Sequence, residues 1–323
     1  MVDFKYVNFA DGMISFGTIV EFFFIISGFL CAQKIKETRE ISFESFMRKK
    51  IRRLYPMAVL SVLCITLLML FDFFAFGRFE NGLIPDVFKF FNSTLITFSG
   101  GAVKVGRGIN NPLWYVSVLM LCYIVFYCLL QISEKNGIKE IYLFILVCSL
   151  GIGIHDYEIS LPFLNESSGR GYAAFFYGTI LYYIYKNYSH RFINLISYFT
   201  LIICFILGKV YYNAFFEYEW GGLTFVVFPS LMFAMMSLET ILDKKLFFHL
   251  GGISYEIYIW HSFFNQLLYM FREPMSAIYS QPFLFFGIYA FVVIDFSAFM
   301  YFLIEKRFTN LCTSLYSNIV VKE

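Results

Sequence analysis

The feature that most constrains this chain is a pair of apolar segments separated by a short, strongly basic one. The sequence is apolar from Phe22 to Ala32 and becomes apolar again at Leu54. The cations between them are Lys34, Lys36, Arg39, Arg48, Lys49, Lys50, Arg52 and Arg53. Loops rich in Lys and Arg lie on the cytoplasmic side of membranes. The pattern predicts two membrane helices joined by a cytoplasmic loop, the second helix starting at Leu54.

The composition extends this reading to the whole chain. It is 59% hydrophobic and 15% charged, whereas a soluble domain carries about a quarter charged residues. We therefore expect an all-α polytopic membrane protein with about nine transmembrane helices in a single domain covering residues 1–323. The predicted spans are 16–32, 54–76, 112–131, 141–154, 171–185, 192–212, 223–242, 252–270 and 282–304. The apolar piece 87–98 is too short to span and is predicted to be re-entrant or interfacial.

The distribution of lysine and arginine predicts an orientation. The segments expected to face the cytoplasm hold 17 of the 25 lysines and arginines. This bias favours an N-terminus outside and a C-terminus in the cytoplasm. The seven cysteines include no CxxC pair or Cys/His cluster, so we predict neither a disulfide framework nor a metal site.

Titratable residues within predicted spans are candidates for function, because placing them in lipid is costly. They are Glu21, Asp72, Lys209, Glu239, Glu256, His261 and Asp295. The first four lie near predicted helix ends, where snorkelling to the interface is the simpler of the two explanations and a functional role is the other. His261 and Asp295 lie closer to the middle of their spans. Trp114 and Tyr115 open the third span, and an interfacial aromatic belt is the expected explanation for both.

The eighth span carries a polar stripe. At about 100° per residue, Ser254, Tyr258, His261 and Asn265 fall on one narrow face of an otherwise apolar helix. One interpretation is a helix–helix seam held by hydrogen bonds. The other is a polar path or substrate cavity that His261 faces.

The basic segment also allows two interpretations. Arg48, Arg52 and Arg53 share roughly one side of a helical turn at the mouth of the second span. Arginines grouped in this way are suited to binding phosphates through several charge-assisted hydrogen bonds. The alternative is that they only signal membrane topology.

Several stretches, in chain order, resemble the integral-membrane acyltransferase 3 family. They are EFFFIISGFL, RKKIRRLYP, LWYVSVLMLCYIVFY, GGISYEIYIWHSFF and FLIEKRF. The SGFL and RRLYP pair together with the SYxIYxxH stretch is the most specific part. The resemblance implies an enzyme of the bacterial inner membrane that moves an acyl group, usually acetyl from acetyl-CoA, to a hydroxyl of a cell-surface or lipid-linked carbohydrate. Its partners would be acyl-CoA, the carbohydrate acceptor and the lipid bilayer, with no bound cofactor and no nucleic acid.

The resemblance also implies roles for residues. Arg48, Arg52 and Arg53 match the family's cytoplasmic arginine motif and would bind the acyl donor. The residues that match the SGF motif and the late motif, and would line the cavity, are Ser27, Gly28, Phe29, Ser254, Tyr255, Tyr258 and His261, with Asn265 added by the stripe.

Two departures from the family pattern affect the expected activity. Leu119 stands where the family's Trp-led span often has a Glu. The family's first helix bears an Arg and the His thought to be catalytic, and the resemblance places that helix before Met1. We therefore expect an N-terminally and catalytically incomplete chain with little activity, whose full product begins about one span earlier, and we assign no catalytic residue. The alternative function is a non-enzymatic membrane transporter or polysaccharide-handling partner that uses the polar stripe as a path.

Overall fold

A computed structural model describes residues 18–77, 87–97, 108–210, 219–238, 245–271 and 281–306. The elements are α1 (Ile19–Gln33), α2 (Ile35–Arg39), α3 (Phe43–Phe76), α4 (Val87–Thr94), α5 (Leu113–Asn136), α6 (Glu140–Asp156), β1 (Ser160–Leu161), β2 (Leu164–Asn165), α7 (Glu166–Asn187), α8 (His190–Val210), α9 (Glu219–Gly222), α10 (Phe228–Ser237), α11 (Lys245–Gly252), α12 (Ser254–Met270) and α13 (Pro282–Met300). One π-helical turn, Leu223–Val227, joins α9 to α10, and another, Tyr301–Glu305, extends α13. The two short strands form an antiparallel hairpin.

The second membrane helix does not start at Leu54, so that prediction is wrong. Helix α3 begins at Phe43, where the Ser42 side chain accepts a hydrogen bond from the Ser45 N–H at 3.3 Å. No breaker lies between this cap and Leu54, and Lys and Arg are good helix formers. A helix of 34 residues is about 51 Å long, well beyond the ~30 Å of a bilayer core. The predicted arginines therefore lie on a helical extension of α3 rather than in a loop.

The predicted fold class, an all-α polytopic membrane protein, is confirmed. Within the described residues each predicted span coincides with helical structure. In the part of the chain that the structure describes, five segments are both long and apolar enough to cross a membrane: Phe43–Phe76, Leu113–Asn136, His190–Leu207, Trp220–Ser237 and Phe283–Ile304. Helix α1 is apolar but shorter. The number of spans stays a prediction.

Helix α7 is the centre of the first packing group, which also contains α1, α5 and α6. Its contacts depend on small residues. A Cβ at Gly28 of α1 would overlap the main-chain carbonyl of Phe175, and one at Gly178 of α7 would overlap that of Ile25. Paired glycines let two helix backbones approach closely, which is a common way to associate helices in membranes.

Helices α3, α12 and α13 form a second packing group, and α5 contacts both α3 and α7. Asn110, just before α5, is fully buried and ties this group together. Its Nδ2 donates to Ser61 Oγ on α3 at 2.7 Å and to the carbonyl oxygen of Ile259 on α12 at 3.2 Å. The start of α5 is thereby held against both helices, which positions the residues described next.

Candidate active site

Ser27 lies at the middle of α1 and faces α5. Its Oγ is 3.3 Å from the hydroxyl of Tyr115, and the Tyr115 side chain is buried. Ser27 is six residues from both Glu21 and Gln33, which corresponds to about 9 Å along the helix in each direction. The pair therefore lies near the middle of α1, where Ser27 is half-buried and Tyr115 is buried.

Tyr258 brings α12 to the same place. Its hydroxyl donates to the carbonyl oxygen of Pro112 at 2.8 Å. The Tyr258 ring centroid lies 5.5 Å from that of Tyr115 and 6.1 Å from that of Phe23 on α1. Ser27, Tyr115 and Tyr258 are named here the hydroxyl layer, because three helices each contribute one hydroxyl to it.

Tyr255, one turn earlier on α12, connects this region to the arginine-bearing extension of α3. Its hydroxyl donates to the carbonyl oxygen of Leu54 at 2.6 Å, and the side chain is buried. Leu54 directly follows Arg52 and Arg53. The bond fixes the depth of these two arginines relative to Tyr258.

The predicted arginines are not equivalent. Arg48 forms an ion pair with Glu44 one turn earlier on the same helix. Arg52 is half-buried and Arg53 is exposed. Lys50, which was not singled out from the sequence, reaches inward instead: its Nζ lies 4.2 Å from the Tyr123 ring centroid and 3.8 Å from Cys31 Sγ.

The predicted SGF motif divides into two parts. Ser27 faces the hydroxyl layer, as described above. Gly28 allows the close approach of α1 to α7. Phe29 is buried and packs edge-on against Tyr182 of α7, with ring centroids 5.6 Å apart. Packing accounts for Gly28 and Phe29, and their predicted place in the cavity stays a prediction.

The polar stripe on α12 also divides. Ser254 Oγ donates to the carbonyl oxygen of Gly251, so it bonds to the last turn of the preceding helix, α11. The Tyr289 hydroxyl of α13 lies 2.9 Å from Asn265 Oδ1 and 3.1 Å from the carbonyl oxygen of His261. The Asn265 end of the stripe thus forms a hydrogen-bonded helix seam. The half-buried His261 ring lies next to Tyr258, with centroids 5.8 Å apart.

Comparison with known proteins decides the family. A family model described as an acyltransferase domain matches residues 3–302. The chain belongs to the acyltransferase 3 family. No curated protein and no solved structure matches the chain.

In this acyltransferase, stretches far apart in the sequence meet in space. The hydroxyl layer takes Ser27 from the SGFL stretch, Tyr115 from the Trp-led stretch and Tyr258 from the SYxIYxxH stretch. The RRLYP stretch joins this region through the hydrogen bond from the Tyr255 hydroxyl to the carbonyl oxygen of Leu54. Four of the five stretches therefore converge on one region. The fifth, 302–308, extends beyond the described residues.

Tyr115 was expected in an interfacial aromatic belt, and that expectation is wrong. It is only 7% exposed and contacts Ser27 and Tyr258. The sequence signal was available, since Tyr115 directly follows the Trp that leads a family stretch. That Tyr115 lies on the face of α5 that packs against α1 and α12 could be seen only from the arrangement of the helices.

Snorkelling does not explain Glu21 either, because its side chain is fully buried. Its Oε1 accepts from Arg170 Nε at 2.5 Å and from Trp220 Nε1 at 3.0 Å. The Arg170 guanidinium lies over the Trp114 ring at 4.9 Å, and the His155 and Trp220 rings are 4.1 Å apart. These five residues are named the Glu21 cluster.

The remaining predicted titratable positions differ from one another. Asp72 is 2% exposed, so snorkelling is wrong for it as well. Glu256 is buried, whereas Asp295 is exposed. Glu239 and the Lys209 side chain lie outside the described residues.

A polar anchor holds α2 to the turn between α5 and α6, at the arginine-bearing end of the bundle. Arg39 Nη2 lies 3.1 Å from Glu140 Oε2 and 3.3 Å from Ser133 Oγ. The Tyr183 hydroxyl donates to Glu140 Oε1 at 2.7 Å. Partial burial alone would raise the pKa of Glu140, but the hydrogen bond from Tyr183 and the charge of Arg39 outweigh it, and the pKa lies below its ordinary value.

Proposed function

We propose that this chain transfers an acetyl group from acetyl-CoA to a hydroxyl of a cell-surface or lipid-linked carbohydrate. The family supports acyl transfer in a membrane. The observation that carries the finer proposal is the pair of tyrosines on α12: Tyr255 bonds α3 beside Arg53, and Tyr258 joins the hydroxyl layer. One helix thus links a cationic surface with a buried group of hydroxyls.

The cationic surface suits the donor. CoA carries phosphates, and arginines bind phosphate through paired, charge-assisted hydrogen bonds. Arg52 and Arg53 lie at the mouth of α3, on the side that the excess of cations predicts to be cytoplasmic. Arg48 is held by Glu44 on the helix itself, so we give it the smaller share of donor binding.

The reaction itself requires a proton acceptor and stabilisation of negative charge. The acceptor hydroxyl oxygen attacks the thioester carbonyl carbon, the carbon–sulfur bond breaks, and CoA leaves as a thiolate. A general base takes the hydroxyl proton in direct transfer; in a relay, the acyl group first moves to a hydroxyl of the protein. Hydroxyl donors in a water-poor site stabilise the oxyanion formed on the way, and Ser27 and Tyr115 are placed to donate. We assign the base to no described residue.

The proposal is tested with the full chain in proteoliposomes supplied with acetyl-CoA labelled in the acetyl group. We expect CoA release that depends on a carbohydrate acceptor, with label recovered as an ester on the sugar. Passage of sugar across the membrane without CoA release would support the transporter alternative. Release of CoA that no sugar accelerates would contradict carbohydrate as the acceptor.

The donor assignment is tested by substitution on α3. Arg53→Ala is expected to raise the KM for acetyl-CoA about tenfold or more, because a charge-assisted contact contributes about 1.5–3 kcal/mol. Arg53→Lys keeps the positive charge for topology but loses the bidentate geometry, so it should rescue poorly. Lys49→Ala, which removes an exposed cation from the same extension, is the matched control. Equal KM values in all variants would leave the arginines as a topology signal only.

A further inference from the structure

The Glu21 cluster contains charges and polar atoms that packing alone does not require. Glu21 is fully buried, yet only its Oε1 is hydrogen-bonded, and its Oε2 is buried without a partner. His155 Nδ1 is likewise buried without a partner. An unpaired buried polar atom is destabilising, and a buried ion pair often stabilises no better than apolar residues of the same size. Such groups point to a ligand that completes their hydrogen bonds.

The position of the cluster separates it from the donor side. Glu21 is in the first turn of α1, whereas the arginine-bearing extension follows the other end of that helix. The hydroxyl layer lies between them, since Ser27 is midway along α1. Trp114 of the cluster directly precedes Tyr115 of the hydroxyl layer, and the Phe24 ring contacts both, with ring centroids 6.1 Å and 4.6 Å away. The cluster therefore borders the hydroxyl layer on the side opposite the arginines.

The chemistry of the cluster selects an uncharged ligand with many hydroxyls. Glu21 and Arg170 carry opposite charges, so these two residues of the cluster together favour neither a phosphate nor a cation. It offers carboxylate and imidazole acceptors as well as guanidinium and indole donors. Trp114 and Trp220 add large aromatic surfaces, and both are half-buried. The Arg170 side chain is 20% exposed, so a ligand can reach the cluster from the protein surface.

We infer that the Glu21 cluster is the binding subsite for the sugar acceptor. Sugar hydroxyls hydrogen-bond to Glu21 Oε2 and His155 Nδ1, and Arg170, Trp114 and Trp220 also contact the sugar. Glu21 Oε1 orients Arg170. This inference rests on the proposed function, because it assigns the acceptor of that reaction a place. It adds that donor and acceptor approach the hydroxyl layer from opposite ends of α1.

The tryptophan content of the chain allows a direct binding test. The chain has three tryptophans, and the third, Trp260, is buried on α12 against Phe296 of α13, with ring centroids 5.1 Å apart. A Trp260→Phe protein would emit only from Trp114 and Trp220. We expect its fluorescence to change saturably with short neutral oligosaccharides of glucose, galactose or N-acetylglucosamine. Acetyl-CoA should leave the signal unchanged.

Two variants in this background establish the site. Trp220→Phe and Arg170→Lys are expected to weaken sugar binding about tenfold or more, and thermal unfolding measured in parallel checks that both variants remain folded at the assay temperature. Trp260→Phe alone is the control, and it should transfer acetyl groups to sugar with the same KM as the unmodified chain. A sugar response that neither variant alters would overturn the inference, as would a signal that responds to acetyl-CoA but to none of the sugars.

The outcomes distinguish this inference from the proposed function. Sugar-dependent acetyl transfer without any fluorescence response would leave the proposed function standing and overturn the subsite. Sugar binding at the two tryptophans without acetyl transfer under any condition would support the subsite and contradict the acyltransferase reaction proposed for it.

Discussion

The Tyr255 hydroxyl lies 2.6 Å from the carbonyl oxygen of Leu54, the residue that directly follows Arg53. The two residues are 201 positions apart in the chain, and the bond crosses from α12 to α3. This bond fixes the position of the arginine-bearing extension of α3 along α12, and so its distance from the hydroxyl layer. If donor phosphates bind the arginines, this bond determines how deep the thioester reaches.

The first prediction is that Tyr255→Phe impairs use of the donor. The substitution keeps the ring and removes only the hydroxyl, at a cost in stability of about 1 kcal/mol. We expect the KM for acetyl-CoA to rise several-fold while the KM for the sugar stays constant. Initial rates at varied acetyl-CoA and fixed sugar measure this.

Tyr127→Phe is the matched control for this prediction. Tyr127 makes the same kind of bond, from its hydroxyl to the carbonyl oxygen of Ile41 at 2.9 Å, at the same end of the bundle. It should lower stability by a similar amount without raising the KM for acetyl-CoA. An equal rise in both variants would show that general loosening of this end is responsible.

The second prediction concerns the close contact between α1 and α7. Gly28→Ala should destabilise the protein by about 3 kcal/mol or more, because its Cβ would overlap main-chain atoms of Phe175 that cannot move aside easily. Gly153→Ala on α6 is the control, since its Cβ meets no atom within 4 Å. Alanine there should be neutral or stabilise by up to about 1 kcal/mol. Thermal unfolding in detergent distinguishes the two, and equal midpoints would contradict the close approach.

The fold class and the helices could be predicted from the sequence because lipid imposes a strong pattern. Apolar runs long enough to span are rare in soluble chains, and their positions follow from composition. The start of α3 was missed because its extension is charged, and a helix outside the membrane leaves no apolar signal. The Ser42 cap and the helix-forming residues after it were the available evidence.

The site could be predicted only in part, because sequence gives the face of a helix but not its neighbour. Ser254, Tyr258 and Asn265 share one face of α12, as the spacing indicates. However, Asn265 meets Tyr289 of α13, whereas Tyr258 meets Tyr115 of α5. Glu21 was misread for the same reason, since its partner Arg170 is 149 residues away. Such pairings depend on which helices pack together.

The third prediction concerns pH. Because the pKa of Glu140 lies below its ordinary value, its ionised form stabilises the fold. That contribution is fully present above the pKa of an unfolded Glu, about 4.3, and is lost as the pH falls through the lower, folded pKa. We expect the thermal midpoint of the protein to fall on acidification below about pH 5.

Glu140→Gln should show a smaller fall over the same pH range, because it has no carboxylate to protonate. Glu134→Gln is the control, since Glu134 is exposed on the last turns of α5, and it should follow the unmodified protein. If both variants followed the same curve as the parent, the anchor between Arg39 and Glu140 would make no contribution that depends on pH.

The last prediction concerns the hydroxyl of Tyr115 in the hydroxyl layer. This hydroxyl lies 3.3 Å from Ser27 Oγ, in a buried position between α1, α5 and α12. A positioned group that donates to a developing oxyanion or moves a proton contributes about 100-fold or more to a rate. Tyr115→Phe should therefore lower kcat for acetyl transfer by about 100-fold, with little change in the KM of either substrate.

Tyr177→Phe is the control for Tyr115→Phe. The Tyr177 side chain is half-buried, and its hydroxyl donates to the carbonyl oxygen of Phe225 at 3.0 Å, outside the hydroxyl layer. The two variants should lose similar stability, because each loses one hydrogen bond, and only Tyr115→Phe should lose turnover. If kcat fell equally in both, the effect would be one of folding. If Tyr115→Phe retained full kcat, its hydroxyl would serve packing alone, and the reaction centre would have to lie elsewhere along α1.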